Sequence, residues 1–290
     1  MTFSVALKQE QYLTYLLSDS KAISTVEVVP ERGGIITRWK IQGQDIFYLD
    51  EERFIHPDLT VRGGVPILFP ICGNLPDDTY SYLGKSYELK QHGFARNLPW
   101  EVTKQAADDS ASLTVTLRSN DKTFQGYPFD FQLDFTYELK GNSLIIRQKY
   151  SNHSDQTMPF SFGFHPYFLV LDKSKIALDI PGSEYQDQAT KKMIPYQGSF
   201  DFTQDEIDAG FKTLTRSSAT MTDNSRNLKL TLTWSDIYST FVFWTVKGKE
   251  FVCLEPWTAP RNSLNTGEKL TQLPPKETCE AVFEMKVEAI

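Results

Sequence analysis

Apolar and polar residues alternate strictly along much of this chain. In FDFQLDFTYEL the apolar set is Phe129, Phe131, Leu133, Phe135, Tyr137 and Leu139, a period of two held over eleven residues. That period puts successive side chains on opposite faces, so the segment reads as a long half-buried strand. The following KGNS supplies turn residues and SLIIRQKYSN returns, which predicts an antiparallel hairpin. The same period recurs in SLTVTLR, NLKLTLTW and CEAVFEMKVEA, while STFVFWTV and FVCLE are apolar almost throughout and read as more deeply buried strands.

Amphipathic helices are scarce, and the best candidate is the short TQDEIDAGFK, residues 203–212. No Gly/Ser linker, low-complexity tract, charge run or internal repeat divides the chain, so one domain over residues 1–290 is expected. Many long antiparallel strands without covering helices must bury their apolar faces against one another. The expectation is an all-β fold, a large antiparallel two-sheet β-sandwich, with a barrel as the alternative.

Composition narrows the partners. The net charge of −7 lacks the basic surface of a nucleic-acid binder or of a protein drawn to anionic membranes, which points to a small molecule. No apolar run approaches the ~18 residues of a membrane-spanning helix, and MTFSVALKQEQYLTYLLSD lacks the basic and apolar regions of a signal peptide. A cytoplasmic protein, monomer or homodimer, is the expectation. Cys72, Cys253 and Cys279 form an odd set in apolar contexts and read as reduced, buried thiols. The four histidines show no zinc-type spacing, so neither a metal site nor a cofactor is expected.

Three segments interrupt the alternation with glycine, proline and charge inside apolar sequence: VRGGVPILFPICGN, ELKQHGFARNLPW and FVCLEPWTAPRNS. A fourth, FSFGFHPYFLV, sets His165 among four phenylalanines. Alone, His165 reads as a core histidine bonded to a backbone carbonyl, or as a proton donor if a carboxylate comes close. Glu255 ends an apolar strand before a proline and reads either as that carboxylate or as a partner of Arg261. Arg62 and Arg96 fit surface ion pairs as well as a binding site, and His92 fits a backbone-satisfied loop. His56 and His153 lie in polar turns and read as structural.

RGGVPILFP, QHGFAR, FGFHPYF and FVCLEPW, in this order across residues 62 to 257, resemble the aldose 1-epimerase (mutarotase) family of the galactose mutarotase-like fold. The HGFAR form, with Arg96, is similar to divergent branches that include hexose-6-phosphate mutarotase-like proteins. The resemblance implies a β-sandwich holding a sugar in a groove on one sheet. It further implies His165 as general acid, Glu255 as general base, and His92 and Arg62 as sugar contacts.

Opening a cyclic hemiacetal removes the proton from O1 while giving one to the ring oxygen O5, which makes a carboxylate and a histidine intelligible as the pair. Trp257, Phe164 or Tyr167 could stack on the sugar. Lys90 and Arg96, flanking His92, suit an anion, so a hexose 6-phosphate stands beside a free hexose as substrate. A carbohydrate-binding protein without catalysis is a further alternative. A glycosidase would need a second carboxylate, with Asp236 or Asp201 available. Leu169 stands where the better-known galactose mutarotases carry asparagine after HPYF, and no third, hydroxyl-binding carboxylate is legible.

Overall fold

The alternating segments form the strands that their period predicts. In the computed structural model, which describes residues 2–290, Phe131–Lys140 and Ser143–Asn152 pair in antiparallel register across a two-residue turn, Lys140 opposite Ser143. Gly141 in that turn has φ +60, where a side chain would be strained.

One eight-stranded sheet runs in the order Ile176–Asp179, Ser218–Asp223, Leu228–Trp234, Thr278–Ala289, Ser143–Asn152, Phe131–Lys140, Ala111–Arg118, Glu101–Ala107. A second runs Met193–Pro195, Glu184–Asp187, Glu206–Phe211, Thr240–Val246, Phe251–Trp257, Gly163–Phe164, Ile67–Leu68, with Tyr167–Leu169 also pairing with Phe251–Trp257. Aromatic rings join the two sheets. Phe164 stacks on Phe283 at 5.4 Å between centroids, Trp234 on Phe241 at 5.2 Å, and Phe162 lies 4.1 Å from Tyr150. Such contacts add to the burial of ring surface that drives the packing.

A five-stranded meander, Phe3–Gln9 through Gln44–Asp45, contributes Leu17, Val26, Val28 and Trp39 to the same apolar core. It is tied to the first sheet by Ser24 Oγ–H donating to the Gly141 carbonyl and the Gly141 N–H donating to Asp19.

Two local expectations need correction. TQDEIDAGFK is not a helix: Glu206–Phe211 is a strand inside the second sheet, paired on one side with Glu184–Asp187 and on the other with Thr240–Val246. Ile207, Ala209 and Phe211 alternate into the core, and two flanking strands supply backbone partners that a lone short helix lacks. Cys72 and Cys253 are buried as expected, but Cys279 is only partly buried, since it lies in the first turn-proximal pairs of the Thr278–Ala289 strand, opposite Tyr150.

Candidate active site

Phe251–Trp257 is buried on both faces, and its period of two sorts the side chains. Val252 and Leu254 join the main core, whereas Phe251 and Cys253 pack on Tyr167, and Trp257 packs with Leu68, Cys72 and Val242. Glu255 belongs to this outer row and opens into a cavity of about 340 Å³, within the range of small-molecule sites. The neighbouring strand places Val242 opposite Glu255 and Trp244 opposite Cys253, and Glu206–Phe211 places Asp208 opposite Trp244. One sheet face thus presents Glu206, Asp208, Trp244, Glu255 and Trp257 to the cavity.

His165 reaches it from the turn between Gly163–Phe164 and Tyr167–Leu169. The backbone there is pinned by the His165 N–H donating to Pro66 O at 3.1 Å and the Tyr167 N–H donating to Gly64 O at 2.9 Å. Its ring stacks on Tyr167, 4.7 Å between centroids and 14° between planes, with Trp244 edge-on. Nε2 stands 3.4 Å from Glu255 Oε1, and Nδ1 is buried without a hydrogen-bond partner among the described residues.

His92 is locked by a reciprocal pair of contacts: its N–H donates to Gly73 O at 2.7 Å, and the Gly73 N–H donates to His92 Nδ1 at 3.0 Å. With Nδ1 accepting, the ring proton sits on Nε2. His92 holds φ +66, and its ring lies 5.6 Å from His165 and 5.5 Å from Trp257. Gly93 beside it leaves no room for a side chain, since a Cβ would lie 2.2 Å from Phe69 O.

Burial sets the protonation of this group. It holds the Glu255 carboxyl well above the usual carboxylate range, reinforced by Asp208 and opposed by Arg261, the Trp257 indole and Arg96. The Trp257 Nε1–H donates to Glu255 Oε2 at 3.2 Å. Burial, then the Arg96, Arg261 and Arg62 guanidinium charges, push His165 down to about 3. His92 is driven well below its ordinary value by burial and then Arg96. Each effect disfavours charge in a desolvated site.

The other sequence candidates divide. Arg62 and Arg96 line the cavity with His92, His165, Glu255 and Trp257. Arg62 lies 6.0 Å over the Trp244 ring, and Arg96 donates to Gln91 O at 2.8 Å. Neither forms a salt bridge among the described residues, as the surface reading required. Lys90 does not join them: it is exposed and paired with Asp78 at 2.9 Å and Glu88 at 2.6 Å, outside the cavity lining.

Phe164 faces the opposite way, onto Phe283 in the core, because its neighbour in the strand, not Phe164 itself, has the groove parity. Arg261 does not pair with Glu255; Nη2 contacts both oxygens of Asp208 at 3.0 and 2.8 Å, and the guanidinium lies 5.1 Å over Trp257. Asp201 and Asp236 lie outside the cavity, accepting from Thr203 and Ser217.

The carboxylates that sequence reading missed are Asp208 and Glu206. Their signal was the alternation Glu206, Ile207, Asp208, Ala209, obscured by reading that stretch as a helix. A further grouping invisible in linear spacing is His165, Cys253 and Glu255, whose donor atoms lie within 4.8 Å of one another. Cys253 is fully buried, and burial pushes its thiol up from the ordinary range.

The sequence profile described as "Aldose 1-epimerase" matches residues 15–286. The chain belongs to the aldose 1-epimerase family. A solved structure of the Slr1438 protein from Synechocystis sp. PCC 6803 is 47% identical, with a TM-score of 0.96 over 99% of each chain. A galactose mutarotase-like protein from Clostridium acetobutylicum shares the fold at a TM-score of 0.86 over 100% of this chain and 99% of its own, with 21% identity.

Among curated relatives, the chromosomal LacX protein of Lactococcus lactis subsp. lactis is 26% identical over 73% of this chain and 79% of its own. A candidate glucose-6-phosphate 1-epimerase of Cenchrus ciliaris is 27% identical over 61% of this chain and 54% of its own length. This member of the epimerase family therefore spans about half of that relative.

Proposed function

We propose that this protein is an aldose 1-epimerase that interconverts the α and β anomers of a hexose, with Glu255 as base and His165 as acid. The observation that carries the reading is the 3.4 Å approach of His165 Nε2 to Glu255 Oε1 at the floor of a sugar-sized cavity.

The pair works with one shared proton. In the active form Glu255 is a carboxylate and His165 carries the proton on Nε2. Glu255 takes the proton from O1, the C1–O5 bond breaks, O1 becomes the aldehyde oxygen, and O5 takes the proton from Nε2. Glu255 is then the neutral acid and His165 the neutral ring, the state that burial of both groups favours.

After rotation about C1–C2, His165 takes the O5 proton back while Glu255 returns one to O1, closing the ring on the other face. Two neutralising environments lower the cost of the intermediate state, and no net proton enters or leaves. His92 Nε2–H and the Asp208 carboxylate are suited to the sugar hydroxyls, as donor and acceptor.

A second reading, a hexose 6-phosphate as substrate, is favoured by a separate observation. Arg53, Arg62 and Arg96 line the cavity, and none forms a salt bridge among the described residues, although the chain as a whole is acidic. Unpaired guanidinium groups suit a phosphate. Lys90, neutralised on the surface, is not part of that set. NMR exchange of the α and β forms of glucose, galactose and glucose 6-phosphate at low buffer concentration tests both. Acceleration of the free sugars supports the first, acceleration confined to the phosphate the second, and none for all three overturns the assignment.

A further inference from the structure

One wall of the cavity is built from a segment with little regular structure. Glu51–Ile55, a single helical turn, brings Arg53 to the cavity, and residues 56–62 run irregularly to bring Thr60, Val61 and Arg62 to it. Backbone carbonyls in such an exposed segment can be met by water or by side chains, and here side chains meet several of them.

The guanidinium of Arg32, which does not line the cavity, donates to five of them: Phe54 and Pro57 at 3.2 Å, Arg53 at 3.4 Å, His56 and Leu59 at 2.8 Å. Gln11 and Tyr12 donate to Ile55 O, and Arg53 Nε donates to Thr60 O. Arg32 itself sits in the turn Pro30–Arg32, capped by Gly33 at φ +90. A Cβ on Gly33 would lie 2.1 Å from Arg96 O, so the same turn abuts the segment carrying the third cavity arginine.

We propose that Arg32 is a positioning residue for substrate binding: by gathering the carbonyls of residues 53–59 onto one guanidinium, it holds Arg53 and Arg62 where they line the cavity. The inference rests on the sugar-binding reading of that cavity. The contacts use all three nitrogens of the planar fork, Nε on Phe54 O, Nη1 on Pro57 O and Nη2 shared among the carbonyls of Arg53, His56 and Leu59; a lysine donates from one point and cannot span them.

When the loop holds its binding arrangement for only a fraction of the time, apparent affinity falls by that fraction while the chemical step, carried by Glu255 and His165 outside that loop, is unaffected. The test compares wild type with Arg32→Ala and, should that variant fold poorly, the charge-preserving Arg32→Lys. Anomer exchange, calorimetric binding of galactose and glucose 6-phosphate, and amide hydrogen exchange are read together.

Both variants are expected to raise KM and Kd by about tenfold, with kcat within about twofold and faster exchange confined to residues 51–62. Unchanged KM and Kd despite a loosened loop would overturn the inference, as would a loss of kcat at constant KM. A protein that binds sugars without turning them over, and loses that binding on Arg32→Lys, would retire the epimerase assignment and leave the role of Arg32 standing. Wild-type turnover with KM indifferent to Arg32 would do the reverse, and no sugar binding at all would remove both.

Discussion

Glu255→Gln isolates the proton-transfer claim because the substitution keeps shape and hydrogen bonding while removing basicity. The glutamine oxygen can still accept from Trp257 Nε1–H, which stands 3.2 Å from Glu255 Oε2, and Val242 still packs opposite. Positioned general acid–base catalysis contributes roughly 10²–10⁴-fold, or about 2.7–5.4 kcal/mol. The variant is therefore expected to lose ~10²–10⁴ in kcat, with KM within about threefold.

Stability should move the other way. Burial raises the folded-state pKa of Glu255, and an acid raised on folding contributes stability that is full below the unfolded value of ~4.3 and is lost as pH rises toward the folded value. At neutral pH wild type bears that loss and the amide does not. The melting temperature of Glu255→Gln should match or exceed that of wild type at pH 7, with the advantage vanishing near pH 4. NMR exchange spectroscopy gives the rate and a thermal melt at both pH values gives the stability. An unchanged rate would remove Glu255 from the mechanism, and a lower melting temperature would make it structural.

Three further outcomes are expected. The one-proton pair should give activity that persists on acidification until His165 gains a second proton near its depressed value of about 3, and falls as pH rises through the elevated Glu255 value. A pH profile of background-corrected kcat with an inflection near the ordinary histidine value of ~6.5 would contradict it. If the substrate is a sugar phosphate, Arg62→Ala should raise KM by about 10–100-fold, the scale of one charge-assisted hydrogen bond, while Lys90→Ala leaves it within about twofold. Equal effects from both would refute the placement. Gly64→Ala should cost about 2–5 kcal/mol in urea denaturation, because Gly64 has φ +60 and a Cβ would lie 2.1 Å from Ile36 O; an unshifted midpoint would refute it.

Much of the architecture was legible because a period of two is a local property. Phe131–Lys140, Leu228–Trp234 and Thr278–Ala289 are strands for reasons present in ten or so residues, and their apolar faces require another sheet. Glu206–Phe211 was misread because its acidic residues and short length resemble a helical turn. Flanking strands, remote in sequence, decide its conformation. Lys90 and Arg96 lie six residues apart and look equivalent on paper. Asp78 and Glu88 happen to face one and the cavity the other, which no local pattern encodes.

Taken alone, the sequence determined the β-rich architecture and singled out the segments bearing His165, Glu255, His92 and Arg62, since alternation, glycine pairs and isolated charges in apolar runs are written residue by residue. Tertiary structure decided that His165 Nε2 stands 3.4 Å from Glu255 Oε1, which arginines form no salt bridge among the described residues, that Asp208 rather than Glu255 takes Arg261, and that the Arg32 guanidinium meets the carbonyls of the cavity-wall segment. Those outcomes depend on distances of a few ångströms between strands and loops far apart in the chain. Burial then converts the same distances into pKa shifts and obligatory hydrogen bonds.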